Sequence, residues 1–195
     1  SGLALLRTRL GNQGAFAYWR LRARGVLPTD ATDAQRAARL SLDGLWLAYL
    51  RDESEAHRCG REALALHASD PWLWVERSYA LQRLDLATEA LEAAQQALVL
   101  MPGHRTALLQ AARMLHQLGR PDDARALLEP AWQRTRAALY GWHLFTQAED
   151  EQQHERALEL LEGIEQSLLR ADKSWKSILA SRRADACLNL GRIEE

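Results

Sequence analysis

The chain has 195 residues, 47% of them hydrophobic and 26% charged, with 11 glycines and 5 prolines; this is the composition of a folded, helix-rich protein and excludes disorder. A net charge of -1 excludes the broad basic surface that nucleic-acid phosphates require, so neither DNA nor RNA is expected as a partner. Two distant cysteines, Cys59 and Cys187, exclude a disulfide framework or a CxxC motif. No apolar run approaches the ~20 residues that span a bilayer, so no membrane insertion is expected.

In chain order, residues 1–28 open on "SG", which reads as the remnant of a cleaved tag, and then predict a turn and one helix carrying Phe16, Trp19 and Ala23, closed by Pro28. A cytoplasmic location is expected, with the periplasm as the alternative if a leader preceded Ser1. The stretch "VLPTDATDAQR", residues 26–36, predicts a loop in which Thr32 or Asp33 caps the next helix. Residues 29–70 then hold that loop and a helix pair marked by Leu47, Leu50, Cys59 and Ala63.

Residues 71–104 are the most regular. Ala87, Ala90, Leu91, Ala94, Ala97 and Leu98 recur in steps of three and four, which puts them on one helix face, and Pro102 stops that helix. A face made mostly of alanine admits a neighbouring helix at close range. Residues 105–137 repeat the arrangement with Leu108, Ala112, Leu115, Ala124 and Leu128, and Gly119 supplies the turn between helices. Residues 138–170 repeat it again through Leu144, Phe145, Ala157, Leu161 and Ile164. Residues 171–195 predict a further first helix and a turn at Leu190 and Gly191. The chain thus begins and ends inside repeats, and self-association through uncapped ends is expected.

The small residue early in each second helix falls at Cys59, Ala90, Ala124 and Ala157, at steps of 31, 34 and 33 residues. Together with the residues above, this resembles the tetratricopeptide repeat, a helix-turn-helix of 34 residues with the signature W-x2-L-G-x2-Y, A-x3-F and P. In the unit that begins at Pro71, Trp74 stands for the signature Trp, Ser78 for Gly, Leu81 for Tyr, Ala90 for Ala, Ala94 for Phe and Pro102 for Pro; Arg77 departs where Leu is usual. Arg136 replaces the closing Pro of the next unit. The resemblance implies an all-α, right-handed superhelical solenoid of stacked antiparallel helix pairs, with a concave face that holds a protein or peptide. It also implies that Trp74 is interhelix packing. Arginine in place of lysine, with abundant Ala and Leu, points to a GC-rich bacterial source.

Catalysis is not expected. The sequence has no GxSxG elbow, HExxH helix, P-loop or GxGxxG fingerprint. His57 and Cys59, two residues apart on a helix, point roughly 200° from each other and cannot form a nucleophile pair. The six histidines never stand four apart on a helix, so no metal or other cofactor is expected.

Mapped by the family's inner-face spacing, the binding groove consists of Trp72, Val75, Tyr79 and Gln82, then Leu109, Arg113 and His116, then Trp142 and Thr146, with Glu149 beyond. Aromatics and arginine are the material of binding hot spots, although neighbouring helices or the rest of a longer protein would account for them equally. The family's clamp for acidic chaperone tails uses Lys and Asn, whereas Gly44, Ala48, Val75, Tyr79, Leu109 and Arg113 occupy the comparable places here. The groove suits instead an extended apolar segment or an amphipathic helix. The rival readings are a regulatory or substrate-docking arm of a larger bacterial enzyme, such as a peptidase, glycosyltransferase or sulfotransferase, and a scaffold of an envelope or secretion assembly. Charge is uneven: residues 1–29 carry Arg7, Arg9, Arg20, Arg22 and Arg24 and no acid, whereas residues 149–165 carry seven acids against Arg156 alone. Solubilising charge explains this, and orientation of a charged partner or end-to-end association of copies is the alternative.

Overall fold

The computed structural model describes residues 30–168 and 173–191, with the side chains at 173–176 excepted. Among the described residues there are nine helices and no strand: α1 (Asp33–Tyr49), α2 (Glu53–His67), α3 (Pro71–Arg83), α4 (Ala87–Leu100), α5 (Arg105–Gln117), α6 (Pro121–Thr135), α7 (Ala138–Asp150), α8 (His154–Ser167) and α9 (Lys173–Asn189). The all-α repeat architecture read from the spacing is therefore the observed one. The expected helix around Phe16, Trp19 and Ala23 and the basic run from Arg7 to Arg24 lie outside the described residues. The chain divides into two compact units, Ser1–Met114 and Leu115–Glu195.

Local chemistry sets the helix ends. Thr32 is the N-cap of α1: its hydroxyl accepts from the Gln35 N–H, and Gln35 Oε1 accepts the Thr32 N–H at 2.9 Å, a reciprocal capping box. Asp33 is already inside the helix. Pro71 opens α3, where its missing N–H costs nothing, and Asp70 accepts from the Trp72 N–H at 2.9 Å. Each first helix is followed by one residue in the left-handed region, at Arg51, Asp85, Gly119, Gln152 and Gly191, with φ of 62°, 64°, 72°, 58° and 70°. Only two of the five are glycine, so the turn is imposed by the helices that it joins. Arg136, where the closing proline is missing, is also left-handed (φ 51°) and caps α6.

In the first unit α1 packs on α2 and α3, and α3 on α4. Ala90, Ala94 and Ala97 of α4 are completely buried, as the alanine spacing predicts. Ser78 faces them and donates its hydroxyl to the Ala90 carbonyl at 2.6 Å, so a residue as small as the signature glycine also ties the two helices together. At Gly44 a Cβ would stand 3.2 Å from the Ala56 carbonyl oxygen and from the Cys59 Cβ, which shows how closely α1 and α2 approach.

The second unit is keyed differently. Gly141 precedes Ala157 by the interval at which Trp74 precedes Ala90, so glycine stands where the signature has tryptophan. The vacated space is filled from the preceding helix: Trp132 of α6, 2% exposed, lays its indole where Cβ atoms on Gly141 and Gly163 would come within 2.9 and 2.8 Å of it. Ile164 closes the same contact, 2.7 Å from a Cβ at Gly141.

Candidate functional site

Among the expected groove residues of the first unit, the structure brings Tyr79, Gln82 and Arg113 together. Tyr79 is half-buried; burial pushes its phenol up, while the hydrogen-bonded, charged Arg113 pulls it back down. Arg113 Nη1 donates to Gln110 Oε1 at 3.4 Å, and Gln110 Nε2 donates to Gln82 Oε1 at 3.0 Å. One helix back, the Arg83 guanidinium lies over the Tyr49 ring, 4.4 Å from its centroid. Three first helices, α1, α3 and α5, thus contribute to one ladder of aromatic, amide and guanidinium groups. Neither Arg83 nor Arg113 has a carboxylate partner among the described residues, whereas Arg39, Arg51 and Arg58 of the same unit each hold an Asp or Glu.

Inner-face spacing alone misses Tyr49, Arg83 and Gln110. Gln110 immediately follows the mapped Leu109, and Arg83 the mapped Gln82, so a one-residue tolerance at each position is the signal that finds them. Leu109 itself is half-buried. Val75 is a correction: it is 1% exposed and packed with Ala97 and Ala107, because those alanines leave a space that its branched side chain fills. It offers no surface to a ligand. Trp72 flanks the same cluster and meets His104 edge-on at 4.6 Å between centroids. His104 is buried and its Nδ1 accepts the Ala107 N–H at 3.2 Å, which caps α5. Burial pushes this imidazole down, against the opposing pull of a backbone hydrogen bond and the Asp70 charge. Trp74 is also only half-buried, and its indole N–H donates to the Ala68 carbonyl at 2.8 Å. The contrast between a groove tryptophan at 72 and a core tryptophan at 74 is therefore smaller than the spacing suggests.

In the second unit the expected residues stand in different company. His116 Nε2 is 3.6 Å from Asp150 Oδ2. Half-buried Trp142 leans on Phe145 at 5.3 Å between centroids, and the Thr146 hydroxyl is turned to its own helix, donating to the His143 carbonyl at 3.0 Å. Burial raises the pKa of Glu149, with Arg182, 3.8 Å away, acting against it. The acidic run is answered along its length: Glu151 pairs with Arg125, Glu159 with Arg156 at 2.9 Å, and Glu162 and Glu165 with Arg183 at 3.6 and 3.9 Å. A cavity of about 200 Å³ opens between Arg125, Glu129, Gln153 and Arg156, but both of its arginines already hold carboxylates.

His57 faces Glu53 at 3.7 Å, and Cys59 is 3% exposed, with burial pushing its thiol up. No described helix is long and apolar enough to cross a membrane.

Comparison with known proteins places a part of this arrangement in a family and finds similar folds for the rest. Residues 80–141 match the tetratricopeptide repeat model. The fold resembles a tetratricopeptide repeat protein from Parabacteroides merdae ATCC 43184 (TM-score 0.62, 16% identity, 98% of this chain and 73% of that one). It also resembles Pseudomonas aeruginosa pilF (TM-score 0.64, 15% identity, 100% and 94%) and a chain of the APC/C hetero-tetramer Cut9-Hcn1 (0.65, 16%, 97% and 36%). A search of curated proteins found no match. The family model spans the end of α3, all of α4, α5 and α6 and the start of α7, and the turns between the described helices recur at the repeat length, so this segment is built of tetratricopeptide repeats.

Proposed function

We propose that the chain is a protein-interaction module that binds an extended segment of a partner along the face formed by Tyr49, Tyr79, Gln82, Arg83 and Arg113, with the buried Gln110 bracing Gln82 and Arg113 from behind, and that it performs no chemistry of its own. The observation that carries this reading is the pair of arginines that have no carboxylate partner among the described residues, on a face where aromatic and amide groups hold them in place. A guanidinium held in this way is prepared for a carboxylate or carbonyl of the partner, and the neighbouring rings supply contact area at little entropic cost. With Val75 withdrawn into the core, the face favours a segment carrying acidic groups over a wholly apolar one. One similar fold belongs to a hetero-tetramer, an arrangement in which such repeats accompany a different chain.

A random peptide library displayed against the purified chain tests this. Selected sequences should be enriched in Asp and Glu, and their binding should be lost in Arg113→Ala. Enrichment of basic sequences, or binding indifferent to Arg83 and Arg113, overturns the reading.

A further inference from the structure

A second basic feature lies away from that ladder. Arg77 occupies the place where the repeat usually has leucine, two residues and so roughly 200° around α3 from Tyr79. Its side chain is half-buried, and its guanidinium lies against α2 at Gly60, where a Cβ would collide with Nη1. Glycine in a helix interior is unfavourable, and here it makes room for this one group. Burial lowers the pKa of Arg77, and the like charge of Arg61, the residue that follows Gly60 on α2, acts in the same direction. Among the described residues Arg77 and Arg61 have no carboxylate partner, and Glu62, next along α2, is held by Arg58 at 2.8 Å.

Two features that each disfavour folding, a glycine inside a helix and a desolvated arginine beside another arginine, therefore meet at one spot. We propose that Arg77 and Arg61, over the floor made by Gly60, form a receptor for a phosphate group. A single guanidinium saturates one carboxylate, whereas a phosphate dianion has oxygens for both arginines and neutralises both charges. The site is independent of the peptide-binding reading, since it uses none of the ladder residues.

Thermal unfolding in inorganic phosphate and in chloride at matched ionic strength and pH 8 tests it. In chloride, Arg77→Leu should melt about 2–4 °C above the native chain, because it removes an uncompensated cation and restores the usual packing residue. Phosphate should raise the native melting temperature by a saturating increment of a similar few degrees, and Arg77→Leu should lose the saturating part. Arg61→Gln, an exposed change that leaves the fold intact, should weaken the apparent affinity for phosphate about tenfold. A phosphoserine peptide that acts at lower concentration than inorganic phosphate identifies a modified partner as the source, and the reverse order identifies the free ion. Equal phosphate responses in the native chain, Arg77→Leu and Arg61→Gln overturn the proposal, as does an Arg77→Leu chain that is less stable in chloride.

Discussion

The two units are built from the same repeat yet differ in what they leave uncompensated. In the first, Arg83 and Arg113 are held by tyrosines and amides, with no carboxylate partner among the described residues. In the second, Glu149, Glu151, Glu159, Glu162 and Glu165 are each met by an arginine of the same unit. Their cores differ as well: alanines and Ser78 bring the helices together in the first, and one tryptophan set into two glycines does so in the second. Equal backbone geometry thus carries unequal chemistry. Under the proposed function a charged partner would engage the unspent charge of the first unit, whereas surface ion pairs of the kind seen in the second unit contribute little to stability.

The comparison breaks most severely at Trp132. Trp132→Ala should destabilise the second unit by about 3–5 kcal/mol in urea titrations, because the two glycines cannot move in to fill the void. A small loss would mean that the tryptophan is not the key to that core. Next in size is binding: for a peptide selected on the native chain, Arg113→Ala should raise Kd roughly thirtyfold or more with little change in melting temperature. Arg183→Ala, whose charge is already engaged, should leave Kd within about twofold. Equal losses in the two variants would erase the distinction between spent and unspent charge.

His104 sharpens the contrast by pH. Its folded pKa lies below the ordinary histidine value, so folding favours the neutral ring, whose Nδ1 must be free to accept the Ala107 N–H. Stability from this group is complete above the ordinary value near 6.5 and is lost as pH falls through the lower folded value. The melting temperature of the first unit should drop between pH 7 and pH 5, and His104→Asn, which keeps a capping acceptor without a titrating ring, should flatten that drop. The smallest expected effect is at a turn. Gln152→Gly should stabilise the second unit by about 1 kcal/mol, since glycine tolerates the left-handed conformation that glutamine is forced to adopt.

Much of the fold was legible because it rests on short-range rules. The buried positions of Ala90, Ala94, Ala97, Ala124 and Ala157 follow from three- and four-residue spacing, and the start of α1 follows from the capping chemistry of Thr32 and Gln35. The site was legible in part. Spacing placed Tyr79, Gln82 and Arg113 on one face, but it could not tell that Val75, on the same nominal face, is drawn into the gap beside Ala97 and Ala107. Nor could it reveal Trp132 in the space left by Gly141 and Gly163, because a long side chain that crosses from one helix into its neighbours leaves no periodic trace along its own.

That tryptophan has a further consequence for how the chain can change. Tandem repeats diversify by duplication and exchange, which works when every joint accepts every unit. Here the ring on one unit fits only a neighbour with glycine at both Gly141 and Gly163, so a unit carrying the usual tryptophan cannot be spliced in after Trp132. The order of units at this joint is locked, and new specificity must arise by point substitution within it.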